Sequence, residues 1–189
     1  MDEMTKPLFA HLCVIGLGLI GASLVQAVHN ANQRRSTPLV GKITAMDTNA
    51  TSIKDAINAG VIADGSTQIG EAVKGADIVV IAVPVKAMAS VMHSLKSAMD
   101  AGVLDADCLI SDVGSTKQSV AALADEVFGD HHHFIGGHPI AGAENSGFHA
   151  RNGELFVQHK LILCPTDSTD LTRLAKLRQL WQGVGADVI

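Results

Sequence analysis

Residues 14–24 read VIGLGLIGASL, and this stretch contains the spacing that decides the fold. Three glycines spaced as G-x-G-x-x-G separate two apolar segments: Gly16, Gly18 and Gly21. The apolar run at residues 12–15 predicts a buried strand, and residues 19–30, which are apolar around most of their circumference, predict a helix packed on a sheet. A glycine turn between a strand and a helix is the context in which this common motif indicates dinucleotide binding.

Each glycine of the turn has its own expected role. Gly16 permits a tight turn, Gly18 lets the backbone approach a pyrophosphate, and Gly21 lets the helix pack close to the strand. The helix that begins with Leu19 and Ile20 offers unpaired N–H groups and the positive end of its dipole to the phosphates. The alternative is a glycine-rich turn that binds no ligand.

Strands alternate with helices along the rest of the chain, and this alternation predicts a doubly wound, mostly parallel α/β sheet of the Rossmann type. Apolar runs predict strands at residues 12–15, 42–46, 76–83, 108–113, 133–137 and 161–164, with another beginning at residue 186. Helical segments are predicted at residues 51–59, 70–74, 86–99, 116–128 and 170–184, and residues 64–67 are predicted to form a loop. The pattern has no internal boundary, so residues 1–189 are expected to form one dinucleotide-binding domain.

Composition narrows the class of protein. The net charge is −5 with both signs interspersed, and aromatic residues make up only 3%, so no nucleic-acid partner is expected. The N-terminus lacks the pattern of a signal peptide, and no apolar run is long enough to span a bilayer, so no membrane partner is expected. Three separated cysteines, each in an apolar run, are typical of buried, reduced thiols in a cytoplasmic protein: Cys13, Cys108 and Cys164.

An acidic residue, Asp47, follows the second predicted strand. A carboxylate there can accept hydrogen bonds from the adenine ribose hydroxyls and repels a 2′-phosphate, so Asp47 favours NAD over NADP. Its alternative role is to cap the following helix, and the two roles can coexist. NADP remains an alternative cofactor, because Arg34 or Arg35 in the preceding loop could reach a phosphate.

Other strand ends carry candidate site residues, since ligands of open α/β sheets lie beyond the carboxyl ends of the strands. Val83 and Pro84 follow one strand, where they either contact the cofactor or only terminate the strand. Ser115 follows another and is either a hydrogen-bonding group of the cleft or a helix N-cap. His138 lies in the segment GGHPIAG, residues 136–142, where glycines on both sides predict a constrained, accessible turn. An imidazole in such a turn could take a hydroxyl proton while hydride leaves the same carbon.

The run His131-His132-His133 is expected to be a solvated loop. Three adjacent side chains do not easily converge on one ion, and no cysteine or carboxylate cluster with ligand spacing accompanies them. No metal site is therefore predicted.

Three segments together resemble the prephenate and arogenate dehydrogenases of tyrosine biosynthesis: VIGLGLIGASL at residues 14–24, ISDVGSTK at 110–117 and GGHPIAGAENSG at 136–147. The resemblance implies NAD-dependent oxidative decarboxylation of prephenate to 4-hydroxyphenylpyruvate. It implies that His138 hydrogen-bonds and deprotonates the ring C4 hydroxyl, and that Ser115 helps to fix that hydroxyl and the imidazole. It also implies that Glu144 faces the entrance to the active site.

The chain also differs from members of this family. Members of the family carry a C-terminal helical domain that forms a homodimer and supplies cations for the substrate carboxylates, and this domain is expected to be absent from the chain. Arg151 is the nearest candidate cation by sequence. The choice between prephenate and arogenate stays open, as do two alternatives: another hydroxyacid dehydrogenase and a non-catalytic NAD-binding module.

Overall fold

The computed structural model describes residues 6–129, 133–142 and 147–189. In this part of the chain eight strands form one sheet: β1 (Phe9–Ile15), β2 (Val40–Met46), β3 (Asp64–Ser66), β4 (Ile78–Ile81), β5 (Leu109–Asp112), β6 (Phe134–Pro139), β7 (Lys160–Cys164) and β8 (Asp187–Val188). The α-helices are α1 (Leu19–Gln33), α2 (Ala50–Asn58), α3 (Ile69–Ala72), α4 (Val85–Asp100), α5 (Lys117–Phe128) and α6 (Leu171–Gly183). A short 3₁₀ turn covers Phe148–Ala150.

The strand order is β3-β2-β1-β4-β5-β6-β7-β8. All neighbouring pairs are parallel except β6 and β7, which are antiparallel. The chain winds outward from β1 in one direction and from β4 in the other, so the strand order reverses between these two central strands. Such a reversal leaves a crevice at the carboxyl ends of the strands, where ligands of this sheet type bind.

Helices cover both faces of the sheet, as its apolar central strands require. One buried cluster joins the sheet to α1, α2 and α6 and includes Trp181 and Phe156, whose rings meet edge to face. The other cluster joins the opposite face to α3, α4 and α5. None of the helices in the described ranges combines the length and apolar character needed to cross a membrane.

The predicted α/β class with a doubly wound, mostly parallel sheet is confirmed, and local predictions differ in three places. Gly136 and Gly137 were predicted to end a strand in a turn that carries His138, but β6 continues to Pro139 and includes His138, because these residues pair with β7. Residues 64–67 were predicted to be a loop, but Asp64–Ser66 form the edge strand β3 beside β2. A three-residue edge strand with little apolar content is too short to show a strand pattern. The strand predicted at residues 76–83 covers only Ile78–Ile81, because the chain leaves the sheet before Pro84.

Candidate nucleotide-binding and catalytic site

The glycine turn after β1 can be built only with glycine at two of its positions. Gly16 has φ +98°, and a Cβ on it would lie 2.5 Å from the carbonyl oxygen of Ala82. A Cβ on Gly21 would lie 1.9 Å from the carbonyl oxygen of Gly16. The tight turn and the close approach of α1 therefore both depend on missing side chains.

Gly18 differs from the other two glycines, because a Cβ on it would meet nothing within 4 Å. It is the N-cap residue of α1, and no side chain caps this helix. The N–H groups of the first helical turn, at Leu19 and Ile20, have no intrahelical acceptors. Open space in front of uncapped N–H groups fits a pyrophosphate, which takes the hydrogen bonds and the dipole interaction that a capping side chain would otherwise supply.

Asp47, at the end of β2, holds the glycine turn in place. Its Oδ2 accepts a hydrogen bond from Leu17 N at 2.6 Å, and its Oδ1 accepts one from Asn49 N at 2.8 Å. The N-cap of α2 is Asn49, whose side chain accepts from Thr51 N at 2.9 Å, so the capping role considered for Asp47 is wrong. A carboxylate has about four lone-pair positions, which leaves acceptor capacity for ribose hydroxyls.

Arg34 and Arg35 lie at the amino ends of the strands, whereas the glycine turn lies at the carboxyl ends. They follow the end of α1 and precede β2, and Arg35 lines a surface hollow with Leu8 and Leu39 at the amino ends of β1 and β2. A seven-residue strand separates its amino end from its carboxyl end by roughly 20 Å. Neither arginine can therefore contact a phosphate bound beyond the carboxyl ends of the strands, so the expectation that either could reach one is wrong.

The segment after β4 borders the glycine turn. Ala82 N donates to the carbonyl oxygen of Ile15 at 2.7 Å. A Cβ built on Gly16 would lie 3.1 Å from Cγ1 of Val83. Pro84 is exposed and occupies the N-cap position of α4. Val83 and Pro84 thus lie beside the predicted nucleotide site, on the β4 side of the crevice.

Ser115 and His138 line one open cleft of about 570 Å³ beyond the carboxyl ends of β5 and β6. The lining residues come from the first turn of α1, the β5–α5 turn and the segment that ends β6: Ile20, Val113, Ser115, His138, Pro139, Ile140, Ala141 and Gly142. Residues separated by more than 110 positions along the chain meet here. The sheet therefore brings the predicted catalytic pair to the helix that carries the predicted phosphate site.

His138 is anchored through its backbone. It pairs with Ile162 across the antiparallel β6–β7 ladder, and Ile140 N just beyond it donates to the carbonyl oxygen of Lys160 at 2.7 Å. The imidazole itself is half-buried, whereas Ser115 is exposed. A fixed backbone with an accessible ring suits a group that must exchange a proton with a bound molecule.

A buried ion pair contacts the backbone of the residues that precede Ser115 and His138, and no role was predicted for it from the sequence. Lys117 Nζ contacts Asp112 Oδ1 at 2.6 Å, Asp112 Oδ2 at 2.5 Å and the carbonyl oxygen of Gly137 at 2.7 Å. Asp112 Oδ2 also accepts from Gly114 N at 2.9 Å. Both charged residues belong to the quoted segment ISDVGSTK, so an acidic and a basic residue flanking a glycine turn were the available signal.

Arg151 does not line the cleft. Its guanidinium lies 4.1 Å from the ring centroid of Phe148, and its Nε donates to Gln26 Oε1 on α1 at 2.9 Å. The neighbouring Asn152 N donates to Ser23 Oγ, also on α1, at 2.9 Å. Arg151 thus connects this segment to α1, and its expected contact with substrate carboxylates is not available in this arrangement.

Three residues named from the sequence lie outside the described residues: Glu144, His131 and His132. His133 is described, and its Nε2 lies 3.2 Å from Asp107 Oδ1. Cys13 and Cys108 are buried, as expected, and burial raises the pKa of each thiol to about 12. Cys164 is only half-buried, because β7 lies near the edge of the sheet, so the expectation that all three thiols are buried is wrong.

A glycine turn at the strand-order reversal, an acidic residue after β2 and a cleft at the same edge define a dinucleotide-binding domain of the dehydrogenase type. The family model described as "Prephenate dehydrogenase, nucleotide-binding domain" matches residues 31–189. The chain therefore belongs to the prephenate dehydrogenase family and carries its nucleotide-binding domain.

Individual relatives agree with this assignment. The chain is 33% identical over 178 residues to a prephenate dehydrogenase of Bacillus subtilis, covering 94% of the chain and 45% of that relative. It is 34% identical over 182 residues to a cyclohexadienyl dehydrogenase of Zymomonas mobilis, covering 95% and 57%. A crystal structure of prephenate dehydrogenase from Aquifex aeolicus with hydroxyphenyl propionate and NAD⁺ superposes with a TM-score of 0.82 at 30% identity, covering 95% and 59%. The chain thus spans about half the length of the curated relatives that it matches.

Proposed function

We propose that this chain is the cofactor-binding portion of an NAD-dependent prephenate dehydrogenase, which converts prephenate to 4-hydroxyphenylpyruvate in tyrosine biosynthesis. The observation that carries the proposal is the shared cleft of Ser115 and His138 at the first turn of α1. An imidazole and a hydroxyl next to a phosphate-binding turn are the groups that oxidation of a secondary alcohol requires.

NAD is the proposed cofactor because the nucleotide side of the site carries a carboxylate and no nearby arginine of the α1–β2 loop. Asp47 would accept hydrogen bonds from the ribose hydroxyls and would repel a 2′-phosphate. The N–H groups of the first turn of α1 would hold the pyrophosphate, with Gly18 leaving the space for it. NAD, when bound, supplies the hydride acceptor.

His138 would act as the proton acceptor for the ring C4 hydroxyl. Loss of that proton accompanies loss of the C4 hydrogen as hydride, and departure of CO₂ then aromatises the ring. The phenolate oxygen formed in this way can take the proton back from the imidazole, so the sequence of steps balances without a further base. Ser115 would hydrogen-bond the same oxygen and limit its orientations.

The rest of the enzyme is proposed from the family. A helical domain would complete the site, form a homodimer and provide cations for the substrate carboxylates, since Arg151 is engaged elsewhere. Glu144 would lie at the entrance to the active site. The substrate is prephenate or arogenate, and the proposed location is the cytoplasm.

Turnover by the full-length enzyme tests the proposal. Reduction of NAD and NADP is followed at 340 nm with prephenate and with arogenate, for the wild-type protein and for His138→Asn. We expect turnover with NAD for one substrate, a loss of roughly 10²–10⁴-fold in kcat for His138→Asn, and unchanged NAD affinity. His149→Asn is the matched control, because His149 is exposed and pairs with Asp55 outside the cleft.

Other outcomes separate the alternatives. NAD binding without turnover of either substrate would favour a non-catalytic NAD-binding module, and turnover of a different hydroxyacid would favour another dehydrogenase. Full activity of His138→Asn would refute the role of the imidazole.

A further inference from the structure

We propose that Asp112 and Lys117 are positioning residues, which together set the separation between Ser115 and His138. The inference rests on the proposed function of those two groups. The residue that precedes each of them, Gly114 or Gly137, is held by the same buried ion pair. One carboxylate and one ammonium therefore connect two catalytic side chains that belong to different strands.

Asp112 is the centre of the arrangement. It is 0% exposed at the end of β5. Its Oδ2 accepts from Gly114 N at 2.9 Å, which fixes the backbone one residue before Ser115. Its Oδ1 lies 3.4 Å from Gly137 N, one residue before His138. A buried carboxylate needs its hydrogen-bond partners, so moving either glycine would remove one of them at a cost in free energy.

Lys117 acts through its neighbours and does not bind substrate. An ammonium has three N–H donors, and three acceptors surround this one: both oxygens of Asp112 and the carbonyl oxygen of Gly137. The side chain is 19% exposed and is not among the residues that line the cleft. No donor is left to hold a substrate carboxylate.

The glycine pair before His138 makes room for this contact. A Cβ on Gly137 would lie 2.8 Å from the carbonyl oxygen of Asp112, and one on Gly136 would lie 3.3 Å from Cδ of Lys117. The segment GGHP thus allows β6 to pass closely over the ion pair. Because buried ion pairs are weak evidence for stability, a role in fixing local geometry accounts better for charges at this position.

Steady-state kinetics of three variants of the full-length enzyme test the inference: Asp112→Asn, Lys117→Met and the double variant. We expect kcat to fall by roughly 10–100-fold in each single variant, since a displacement of about 1 Å has that effect on catalysis. NAD affinity and the KM for substrate should change much less than kcat. The double variant should be no slower than the singles, because either change already breaks the pair. Lys96→Met, which removes an exposed ion pair with Asp100, is the control.

Two kinetic results would overturn the inference. A rise in KM for Lys117→Met, with kcat unchanged, would make Lys117 a substrate ligand. Wild-type kcat in Asp112→Asn would show that the carboxylate does not set the geometry. If these variants fail to fold, Lys117→Arg retains the charge but cannot direct three donors from one nitrogen, so kcat should fall and wild-type kcat would refute the inference.

Amide hydrogen exchange, measured by NMR, gives a readout that does not depend on turnover. The amides of Gly114 and Gly137 should exchange faster in Asp112→Asn than in the wild-type protein, and at the wild-type rate in His138→Asn. If the wild-type enzyme turned over neither substrate, the proposed function would fail, and exchange would still decide this inference. Unchanged exchange in Asp112→Asn would refute it.

Discussion

Replacing Gly21 with alanine tests the glycine turn, because the added methyl group has no space. The new Cβ would lie 1.9 Å from the carbonyl oxygen of Gly16 and 3.1 Å from Cβ of Ala82. Helix α1 would have to move away by about 1.5 Å to restore an ordinary contact, and this helix buries Leu24, Val25 and Val28 against the sheet. We expect the substitution to lower the free energy of unfolding by about 3 kcal/mol, near the upper end of the range typical of overpacking.

Gly18→Ala is the matched control, since its Cβ meets nothing within 4 Å and its backbone, with φ −69° and ψ −169°, is open to alanine. Differential scanning calorimetry should show Tm falling by roughly 6–12 °C for Gly21→Ala and by only about 2 °C for Gly18→Ala. Calorimetric titration with NAD should show the folded Gly18→Ala protein binding roughly 10–100-fold more weakly, since its methyl group enters the proposed pyrophosphate space.

The contrast between the two variants carries the test. Equal destabilisation by both substitutions would refute the packing argument for Gly21. NAD binding by Gly18→Ala as tight as by the wild-type protein would refute the placement of the pyrophosphate.

Three further predictions concern groups away from the cleft. Burial lowers the pKa of His11 below its usual value of 6.5. As the pH falls below about 6.5, the unfolded chain therefore takes up a proton before the folded chain does, and the free energy of unfolding declines. Thermal melts at several pH values should show a smaller decline for His11→Gln. Arg151→Met should lower stability by about 1 kcal/mol through lost contacts with Phe148 and Gln26, with NAD affinity unchanged; a tenfold loss of affinity would contradict its structural role. Titration of the native chain with a thiol reagent at pH 8 should modify Cys164 and spare the two buried thiols, Cys13 and Cys108.

The sequence predicts most of the central sheet because buried parallel strands have an unambiguous pattern. Residues 78–81 are β-branched and apolar on both faces, and the structure places them at the centre of the sheet. The edge strand β3 has the sequence DGS and is not predictable in this way. It is a strand because it pairs with β2, and burial contributes little to it. Pattern reasoning is thus reliable where burial determines the structure and weak where hydrogen bonding alone does.

Candidate site residues were predictable where local context constrained them, and contacts across the sheet were not. The glycine spacing and the position of His138 between glycines are local features. Arg34 and Arg35 were considered as phosphate ligands because they precede Asp47 in sequence, yet they lie at the amino ends of the strands, away from Asp47. Sequence distance does not specify which edge a loop occupies until the strand directions are known.

Two strand-end aspartates perform the same structural task in the two halves of the sheet. Asp47 at the end of β2 accepts from Leu17 N in the turn after β1, and Asp112 at the end of β5 holds Gly114 and approaches Gly137 on β6. Parallel strands are joined by long crossovers, so no hairpin ties neighbouring turns together at the carboxyl edge. A buried or half-buried carboxylate supplies that missing connection, because it can accept backbone N–H groups from more than one turn. On this argument the turns that would bind the cofactor and the substrate are ordered before either molecule arrives, and loss of either carboxylate should loosen one half of the site without disturbing the other.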